Sequence, residues 1–560
     1  MLFNITLAGA LLIQASAAWT AAVPDVQAIL PRLLAPDGQR RLECRGELVC
    51  SLPQLPGFYR QRGYHPAWSA NGRVLPAAYD LLAALYRAPA EGLFPESYHL
   101  SAIQALWPAL SAPRTAGEIP DHSRRLAELD ILLTDAFLLY ADNLRTGRVN
   151  PETIHKAWVA HHPREDFSGR LAEALGHNSV GDLLDRLPPP HRDYQRLKIA
   201  LRSLRRLADA GGWPAIPPGP TLHPGDRDQR IPLLRQRLMV SDDLAPQVIG
   251  ASDLFDIPLM TAVGHFQRRH GLKADGVVGS QTLAALNVSV GQRIRQVELN
   301  LERWRWIPRD LGPRHIRVNI ADFSLKVMEA GEPVLKMAVV VGRDLRRTPV
   351  FSDTMQYLVF NPYWNVPFNI AVKDKLPLIK EDAAYLASHH FRVFASWQPD
   401  APEVDPATVD WAGLDRTNFR VRLRQEPGPH NALGQIKFMF PNPFAVYLHD
   451  TSERDLFSQD VRTFSSGCIR VANPLGLAAY VLEDQPPWSP ESIQAAMDSL
   501  QHKVITLKHP LPIHLLYWTA WAAADGTLQF RNDIYHRDPP LDQALRARLG
   551  QSGSPGAEGQ

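Results

Sequence analysis

The sequence of 560 residues has little of what directs a protein to nucleic acid or anchors it across a membrane. Its 60 Lys and Arg residues are almost balanced by 58 Asp and Glu residues, which gives a net charge of +2, and no basic run breaks this balance. Proteins that bind phosphate backbones usually carry a clear positive excess. After the N-terminal segment, no apolar run approaches the roughly 20 residues of a transmembrane helix. Nucleic acid is therefore not expected as a partner.

Cysteine is scarce as well, with three residues in the whole chain. Cys44 and Cys50 flank a stretch in which Arg45-Gly46 favours a tight turn, so we expect them to form a disulfide, the alternative being that both are reduced and buried. Cys468 is then the odd cysteine. An unpaired thiol that is retained in an oxidising compartment indicates chemistry at that residue.

The N-terminal segment, residues 1–18, is apolar and ends in Ala-Ser-Ala-Ala, the small-residue pattern of a signal-peptidase site. We interpret it as an export signal. Its departure from the usual pattern is that no Lys or Arg precedes the apolar run, so the alternatives are a misassigned start or a segment that stays attached as an anchor. Membrane attachment is expected only in the uncleaved case.

The stretch from Val446 to Val471 contains one isolated histidine, His449, and the isolated Cys468. The run Val446-Tyr447-Leu448 predicts a short strand, so that Tyr447 and His449 share one face and Asp450 points to the other. If the loop after Asp450 folds back, His449 lies against Cys468 as base and nucleophile. A neighbouring imidazolium would make the thiolate available at neutral pH. Otherwise, both residues are simply part of a core.

The turn before the cysteine, Ser465 to Gly467, has no side chain at Gly467. A substrate carbonyl could therefore approach the backbone N–H groups of Ser466, Gly467 and Cys468, which we predict to form an oxyanion hole.

The ordered segments 447–451 and 465–471 closely resemble the active-site signature of L,D-transpeptidases with a YkuD-type catalytic domain. Many members of this family carry His at the position of Ser466. A Ser at this position resembles the variant found in the large, multidomain YcbB-like branch. The resemblance implies that Cys468 and His449 are catalytic and that no metal or organic cofactor is needed. Further candidates for substrate binding are Tyr447, Ser465 (or a turn hydrogen bond), Arg470 (or a structural ion pair) and Trp364 (or a core position).

Two other regions also resemble this branch. Residues 58–68 and 147–151 are similar to its N-terminal scaffold region. Residues 263–287 are similar to a small three-helix peptidoglycan-binding domain, in which the glycines would turn the chain between helices and the Leu and Phe positions would form the core. The paired His161-His162 is interpreted as a loop feature, because no third metal ligand appears at a usable spacing.

The fold class that these patterns predict is multidomain α+β, with a helical scaffold, a three-helix domain and a mainly antiparallel β catalytic domain. A stretch with five Pro and four Gly predicts a linker, and a long insertion resembles the segment that caps the active site in this branch. The predicted boundaries are 1–18 signal peptide, 25–210 scaffold, 211–225 linker, 228–290 peptidoglycan-binding-like domain, 291–312 connecting helix, 315–545 catalytic domain with the capping insertion 373–429, and 546–560 disordered tail.

By this resemblance, the expected protein is a peptidoglycan L,D-transpeptidase of the periplasm that joins stem peptides by 3→3 cross-links through a cysteine thioester. Its expected partners are donor and acceptor stem peptides, and cell-wall synthesis proteins are a further possibility. Two alternatives remain open at this point: a hydrolytic L,D-carboxypeptidase or amidase, and a wall-binding scaffold with an inactive catalytic domain.

Overall fold

The computed structural model describes residues 25–35, 42–51, 54–111, 119–160, 165–246 and 252–550. The predicted signal peptide, His161 and His162, and the chain after Gly550 lie outside the described residues. Within the described ranges, no helix combines the length and the apolar character needed to cross a membrane.

The helices of the N-terminal region are α1 Val26–Leu34, α2 Leu55–Gln61, α3 Pro76–Arg87, α4 Leu100–Ser111, α5 Ile119–Thr146, α6 Pro151–Ile154, α7 Phe167–Gly176, α8 Val180–Arg186 and α9 Arg192–Asp209. Four short strands accompany them, β1 Leu42–Cys44, β2 Glu47–Val49, β3 Ser69–Ala70 and β4 Arg73–Val74. The long helix α5 forms the centre of the region, because the apolar residues that recur along it at helical spacing are all buried: Leu126, Leu129, Leu133, Phe137, Tyr140 and Leu144. The predicted amphipathic helix is therefore confirmed.

The disulfide expected between Cys44 and Cys50 is wrong. The β1–β2 hairpin pairs Cys44 with Glu47 next to the turn, whereas Val49 pairs with Leu42 at the open end. Cys50 therefore lies beyond the opposite end of the hairpin from Cys44, outside the Cα separation of about 4.4–6.8 Å that a disulfide allows. The thiol of Cys44 instead faces the backbone carbonyl of Glu128.

The small domain contains α10 Ile231–Val240, α11 Ile257–Arg269 and α12 Ser280–Leu286, the three helices that the sequence predicted. The Pro/Gly-rich segment before it is not a free linker. Ile216 and Leu222 are buried in the core of the small domain, and Leu222 forms a β-bridge with Val278. Pro and Gly prevent regular structure in this segment but do not prevent it from packing as irregular chain.

Helix α13, Val290–Trp304, connects the modules. It begins with a capping box, in which Ser289 and Gln292 exchange side-chain and backbone hydrogen bonds. Near its end, the carboxylate of Glu302 accepts hydrogen bonds from the backbone N–H groups of Arg148 and Val149 in the scaffold region. Gly147 is required beside this contact, because a Cβ there would lie 2.7 Å from the Glu302 carboxylate at a φ of +86°.

The C-terminal half is built on the strands β5 Arg314–Asn319, β6 Ser324–Glu329, β7 Glu332–Gly342, β8 Phe351–Phe360, β9 Trp364–Asn365, β10 Phe391–Phe394, β11 Glu403–Val404, β12 Arg422–Gln425, β13 Ile436–Met439, β14 Leu448–His449, β15 Thr463–Ser465, β16 Ile469–Val471, β17 Lys503–Leu516, β18 Ala520–Ala522 and β19 Leu528–Phe530. Its helices are α14 Phe368–Ile370, α15 Leu376–Glu381, α16 Tyr385–Ser388, α17 Pro474–Val481, α18 Pro490–Asp498 and α19 Asp538–Gly550, with a π-helical turn at Ala371–Lys375.

Nine strands form the main sheet in the order β15-β7-β16-β14-β13-β8-β17-β5-β6, and β6 also pairs with β7, which closes the sheet on itself. Most pairs are antiparallel, as predicted, but β14–β16, β5–β17 and β7–β15 are parallel. The predicted mixed α+β fold class is confirmed. Helix α19 continues to Gly550, so residues 546–550, which we expected to begin a disordered tail, are helical.

The capping insertion folds as a separate unit on top of this sheet. Together with residues 364–372 and 430–433, it forms a four-stranded sheet in the order β11-β10-β12-β9 and a hydrophobic core of its own, which includes Phe391, Val393 and Leu423. A long insertion that buries its own core is an ordered structural unit, in contrast to an extended loop.

Candidate active site

The parallel pair β14–β16 brings the candidate nucleophile and base to one side of the sheet. Leu448 lies beside Ile469, His449 lies beside Arg470, and the Tyr447 carbonyl accepts a hydrogen bond from the Ile469 N–H. Side chains alternate along a strand, so Leu448 and Ile469 enter the core and are fully buried. The side chains directly before and after Leu448, and those directly before and after Ile469, therefore lie on the opposite face of the sheet. His449 and Cys468 thus share that face, on neighbouring segments of the chain.

Tyr447 interacts directly with the candidate nucleophile. Its hydroxyl and its backbone N–H both donate hydrogen bonds to the sulfur of Cys468, which lowers the pKa of that thiol. The rings of Tyr447 and His449 meet edge to face with 5.7 Å between their centroids, as expected for two residues on the same strand face. Tyr447 is thus positioned to act on the nucleophile as well as to line a cleft.

His449 is held by backbone carbonyls. Its Nδ1–H donates to the carbonyl of Asp450, and the carbonyl of Leu433 also faces the ring. The carboxylate of Asp450 points away, accepting from the Gln435 N–H at 2.9 Å and from Arg454 at 2.6 Å. The prediction that the Asp450 side chain points away from His449 is therefore confirmed. Nε2 carries the free lone pair, because Nδ1 is the donor.

Burial, together with the nearby positive charges of Arg470 and Lys437, lowers the pKa of His449 to about 3. Burial also raises the pKa of the Cys468 thiol, although Tyr447, Lys437 and Arg470 oppose this effect. At neutral pH, the resting site therefore contains a neutral imidazole and a thiol. A resting thiolate–imidazolium pair, which the sequence suggested as the source of the nucleophile, is therefore disfavoured in the unliganded site, because burial lowers the pKa of the imidazole and raises that of the thiol.

Within the described part of the chain, the sulfur of Cys468 and the ring of His449 form no hydrogen bond with each other. The thiol instead faces the backbone carbonyl of Ala445, at 3.9 Å. Catalytic hydrogen bonds in unliganded sites are often long and close only around the substrate. The register of the two strands places base and nucleophile on the same face of the sheet.

The turn before Cys468 is braced by side chains. Gly467 has a φ of +120°, a conformation that L side chains rarely adopt, and its carbonyl accepts a hydrogen bond from Thr348 Oγ1 at 2.9 Å. The hydroxyl of Ser465 donates to the Cys468 carbonyl and accepts from the Gly467 N–H at 3.1 Å. Gly467 is therefore needed for its backbone conformation.

These hydrogen bonds correct two of the predicted roles. The Gly467 N–H is occupied inside the turn, so it is not available as an oxyanion-hole donor in this structure, and the N–H groups of Ser466 and Cys468 remain as the predicted donors. Ser465 is buried and serves the turn, which favours the alternative to substrate binding that the sequence left open.

Two other candidates also have structural partners. Arg470 forms an ion pair with Glu453 at 2.6 Å, while its own side chain is largely buried and that of Glu453 is exposed. Trp364 lies in the core of the capping insertion, against Phe391 and under the ammonium group of Lys375. The structure thus favours a core position for Trp364 over a role in substrate binding. Arg470 remains a candidate for a substrate carboxylate, because its present partner Glu453 is exposed and can be exchanged.

The structure brings two cations to the site that the sequence analysis missed. Lys437 pairs with His449 across β13 and β14, and its ammonium group lies 3.7 Å from the centre of the Tyr447 ring. Arg346 donates to the Ser466 hydroxyl at 2.8 Å and forms an ion pair with Asp374 of the capping insertion. The alternation of Ile436, Lys437 and Phe438 predicts which face Lys437 occupies, but only the pairing of strands shows what it faces.

Comparisons with known proteins agree with this architecture. Residues 53–201 match a family described as a scaffold domain, residues 227–286 match a "Putative peptidoglycan binding domain", and residues 313–489 match the L,D-transpeptidase catalytic domain of the YkuD family. A "Putative L,D-transpeptidase" of Haemophilus influenzae is 34% identical over 250 residues, which cover 45% of this chain and 49% of the relative. The match thus spans about half the length of that relative.

Two crystal structures of L,D-transpeptidases were also found. That of residues 123–326 of the protein from Xylanimonas cellulosilytica DSM 15894 is 17% identical, covers 53% of this chain and 99% of its own, and has a TM-score of 0.17. That from Stackebrandtia nassauensis is 12% identical, covers 53% and 94%, and has a TM-score of 0.21. TM-scores this low carry no structural argument. The family matches, however, show that separate regions of this chain are similar to a scaffold domain, to a "Putative peptidoglycan binding domain" and to the L,D-transpeptidase catalytic domain of the YkuD family.

Proposed function

We propose that this protein is a periplasmic peptidoglycan L,D-transpeptidase that forms 3→3 cross-links through a thioester on Cys468. The observation that carries the proposal is the parallel β14–β16 pair, which places Cys468, His449 and Tyr447 on one sheet face beneath the capping insertion. The match to the catalytic-domain family supports the same reaction class.

The first half-reaction would be acylation by the donor stem. His449 is neutral at pH 7 and can accept the thiol proton at Nε2, so that Cys468 attacks the carbonyl of the L-centre of the diamino acid at position three. The N–H groups of Ser466 and Cys468 would stabilise the oxyanion. The protonated imidazole then gives its proton to the leaving amine of D-Ala, and a thioester remains.

The second half-reaction would be attack on the thioester by the side-chain amine of another stem. His449 accepts a proton from that amine and returns a proton to the departing sulfur, which regenerates the thiol. One D-Ala is released for every cross-link formed, so the reaction balances without an oxidant or a cofactor. Water in place of the amine would give a tripeptide, which is the hydrolytic reaction.

The capping insertion supports transfer over hydrolysis. The unit that it forms with residues 364–372 and 430–433 contacts the site at three points: Tyr447 packs against its core, the Leu433 carbonyl faces His449, and Asp374 pairs with Arg346 next to Ser466. A cover of this kind can exclude water and present one oriented amine. The peptidoglycan-binding domain would keep the catalytic domain close to its polymeric substrate.

Incubation of the purified chain with disaccharide tetrapeptide tests the proposal. Mass analysis should find a cross-linked dimer, released D-Ala and a thioester adduct on Cys468. Cys44→Ser is the matched control, since it removes another thiol far from the site, and it should react like the wild type. Tripeptide alone would support the hydrolytic function, and the absence of any adduct or product would refute both.

A further inference from the structure

A second cavity lies where three modules meet, away from the candidate active site. Its volume is about 580 Å³, in the range of sites for small molecules. The walls come from α9 of the scaffold region, from α10 and the end of α11 in the small domain, from the start of α13, and from the β18–β19 hairpin. Neither Cys468 nor His449 lines it, so nothing about this cavity depends on the proposed reaction.

Two of the arginines in the wall, Arg237 and Arg293, are buried without an acidic partner among the described residues. The guanidinium of Arg237 stacks on Trp213 at 4.0 Å, donates through Nε to the Leu286 carbonyl, and has no hydrogen-bond partner for Nη1. That of Arg293 stacks on Phe530 at 4.4 Å and donates to the Gln296 side chain and the Ala285 carbonyl, while its Nε has no hydrogen-bond partner.

Over the ranges that the structure describes, the other charged side chains that line the cavity do not form ion pairs with Arg237 or Arg293. Arg269, a third cation in the wall, has its own buried carboxylate, Asp243. The acidic side chains that line the cavity, Asp242 and Asp525, form no ion pair with either Arg237 or Arg293 in the described structure. Burial and the charge of Arg269 lower the pKa of Arg237 to about 9, although Asp243 opposes this effect. Burial and the charges of Arg237 and Arg269 lower the pKa of Arg293 to about 9.

A buried cation without a partner costs stability, because desolvation is not repaid by an ion pair. Two such cations stacked on aromatic rings in one cavity, each with an unsatisfied N–H group, are more consistent with a binding site than with a packing arrangement. Planar guanidinium groups suit carboxylate and phosphate oxygens in particular. The apolar part of the wall, which includes Leu204, Leu207 and Leu528, would contact the rest of the ligand.

We propose that this cavity binds an anionic small molecule, whose carboxylate or phosphate group is held by Arg237 and Arg293 and whose body packs against α9 and the β18–β19 hairpin. Because its walls belong to separate modules, the bound anion would stabilise their arrangement. A carboxylate could come from a stem peptide and a phosphate from an envelope polymer or a lipid headgroup, and the test separates these sources.

Calorimetric titration of the full-length Cys468→Ser chain tests the site without interference from turnover. The probes are inorganic phosphate, acetate and disaccharide tetrapeptide at low ionic strength. We expect at least one of them to bind, to raise the temperature of thermal unfolding, and to bind about ten- to a hundredfold more weakly after Arg237→Met or Arg293→Met, the loss expected for a charge-assisted hydrogen bond.

Arg227→Met is the matched control, since Arg227 is an exposed arginine of the same domain that pairs with Asp253 outside the cavity. Binding of phosphate alone assigns the phosphate source, and binding of acetate or the tetrapeptide assigns the carboxylate source. The proposal fails if no probe binds at about 10 mM, or if both cavity variants bind as tightly as the control. The two variants are independent, so one that does not fold leaves the other to decide.

Discussion

Gly434 provides a sharp test of how the base is held, because it lies directly against Asp450, the residue whose carbonyl orients His449. Gly434 has a φ of +62°, and a Cβ built on it would lie 2.4 Å from the Asp450 carboxylate and 2.6 Å from the Asp450 Cβ. The overlap includes the rigid start of the side chain as well as its flexible end. In Gly434→Ala, Asp450 must therefore move, and the hydrogen bond to His449 Nδ1 must change with it.

The magnitude follows from two contributions. An alanine in the left-handed region costs about 1–2 kcal/mol. Displacing the carboxylate from the Gln435 N–H and from Arg454 leaves a partly buried donor unpaired, which costs about 1–3 kcal/mol more. Gly331→Ala is the matched control, since Gly331 has a φ of +88° and nothing within 4 Å of a built Cβ, so it carries only the first cost.

The assay compares the two variants by urea unfolding and by the rate of thioester formation with disaccharide tetrapeptide. We expect Gly434→Ala to be less stable than Gly331→Ala by about 1–3 kcal/mol in the free energy of unfolding. We also expect it to acylate about ten- to a hundredfold more slowly, the usual effect of a misplaced catalytic group. Equal stability and equal acylation rates in the two variants would refute the argument that Asp450 positions His449.

Four further predictions concern the site, the cysteines and the capping insertion. Cys468→Ser should abolish turnover and keep the fold, because a hydroxyl is a much weaker nucleophile beside the same base; activity near that of the wild type, measured by product mass, would contradict the mechanism. Alkylation of Cys468 by iodoacetamide should rise about tenfold per pH unit from pH 7 to 9, since a raised thiol pKa leaves little thiolate at neutral pH, and a plateau at pH 7 would show a thiolate–imidazolium pair instead. Burial raises the pKa of Cys44 to about 12, so in the native protein Cys50, on the surface, should be alkylated well before Cys44, and a mass showing a bridge between them would contradict the observed hairpin. Replacing the capping insertion by a short loop should shift products from dimer towards tripeptide, because water at roughly 55 M then competes with an amine that is no longer oriented; an unchanged ratio with normal acylation would show that the insertion is not a lid.

Local patterns were enough to predict much of the architecture. The spacing of apolar residues along α5, the three helices of the small domain and the alternating strands after Arg314 follow from the helical and extended periodicities, which are properties of neighbouring residues. The isolated His449 and Cys468 could be singled out in the same way, because a short run of sequence determines the strand, the turn and the residue types around each of them.

The arrangement of these elements depended on contacts between residues far apart in sequence. Only the tertiary structure shows that β14 and β16 run parallel, that Lys437 lies beside His449, and that Arg346 links the capping insertion to the turn before Cys468. The same holds for ionisation, since burial against the rest of the fold makes His449 neutral. Register, burial and charge proximity are set by the packing of whole elements, and no local window of sequence contains them.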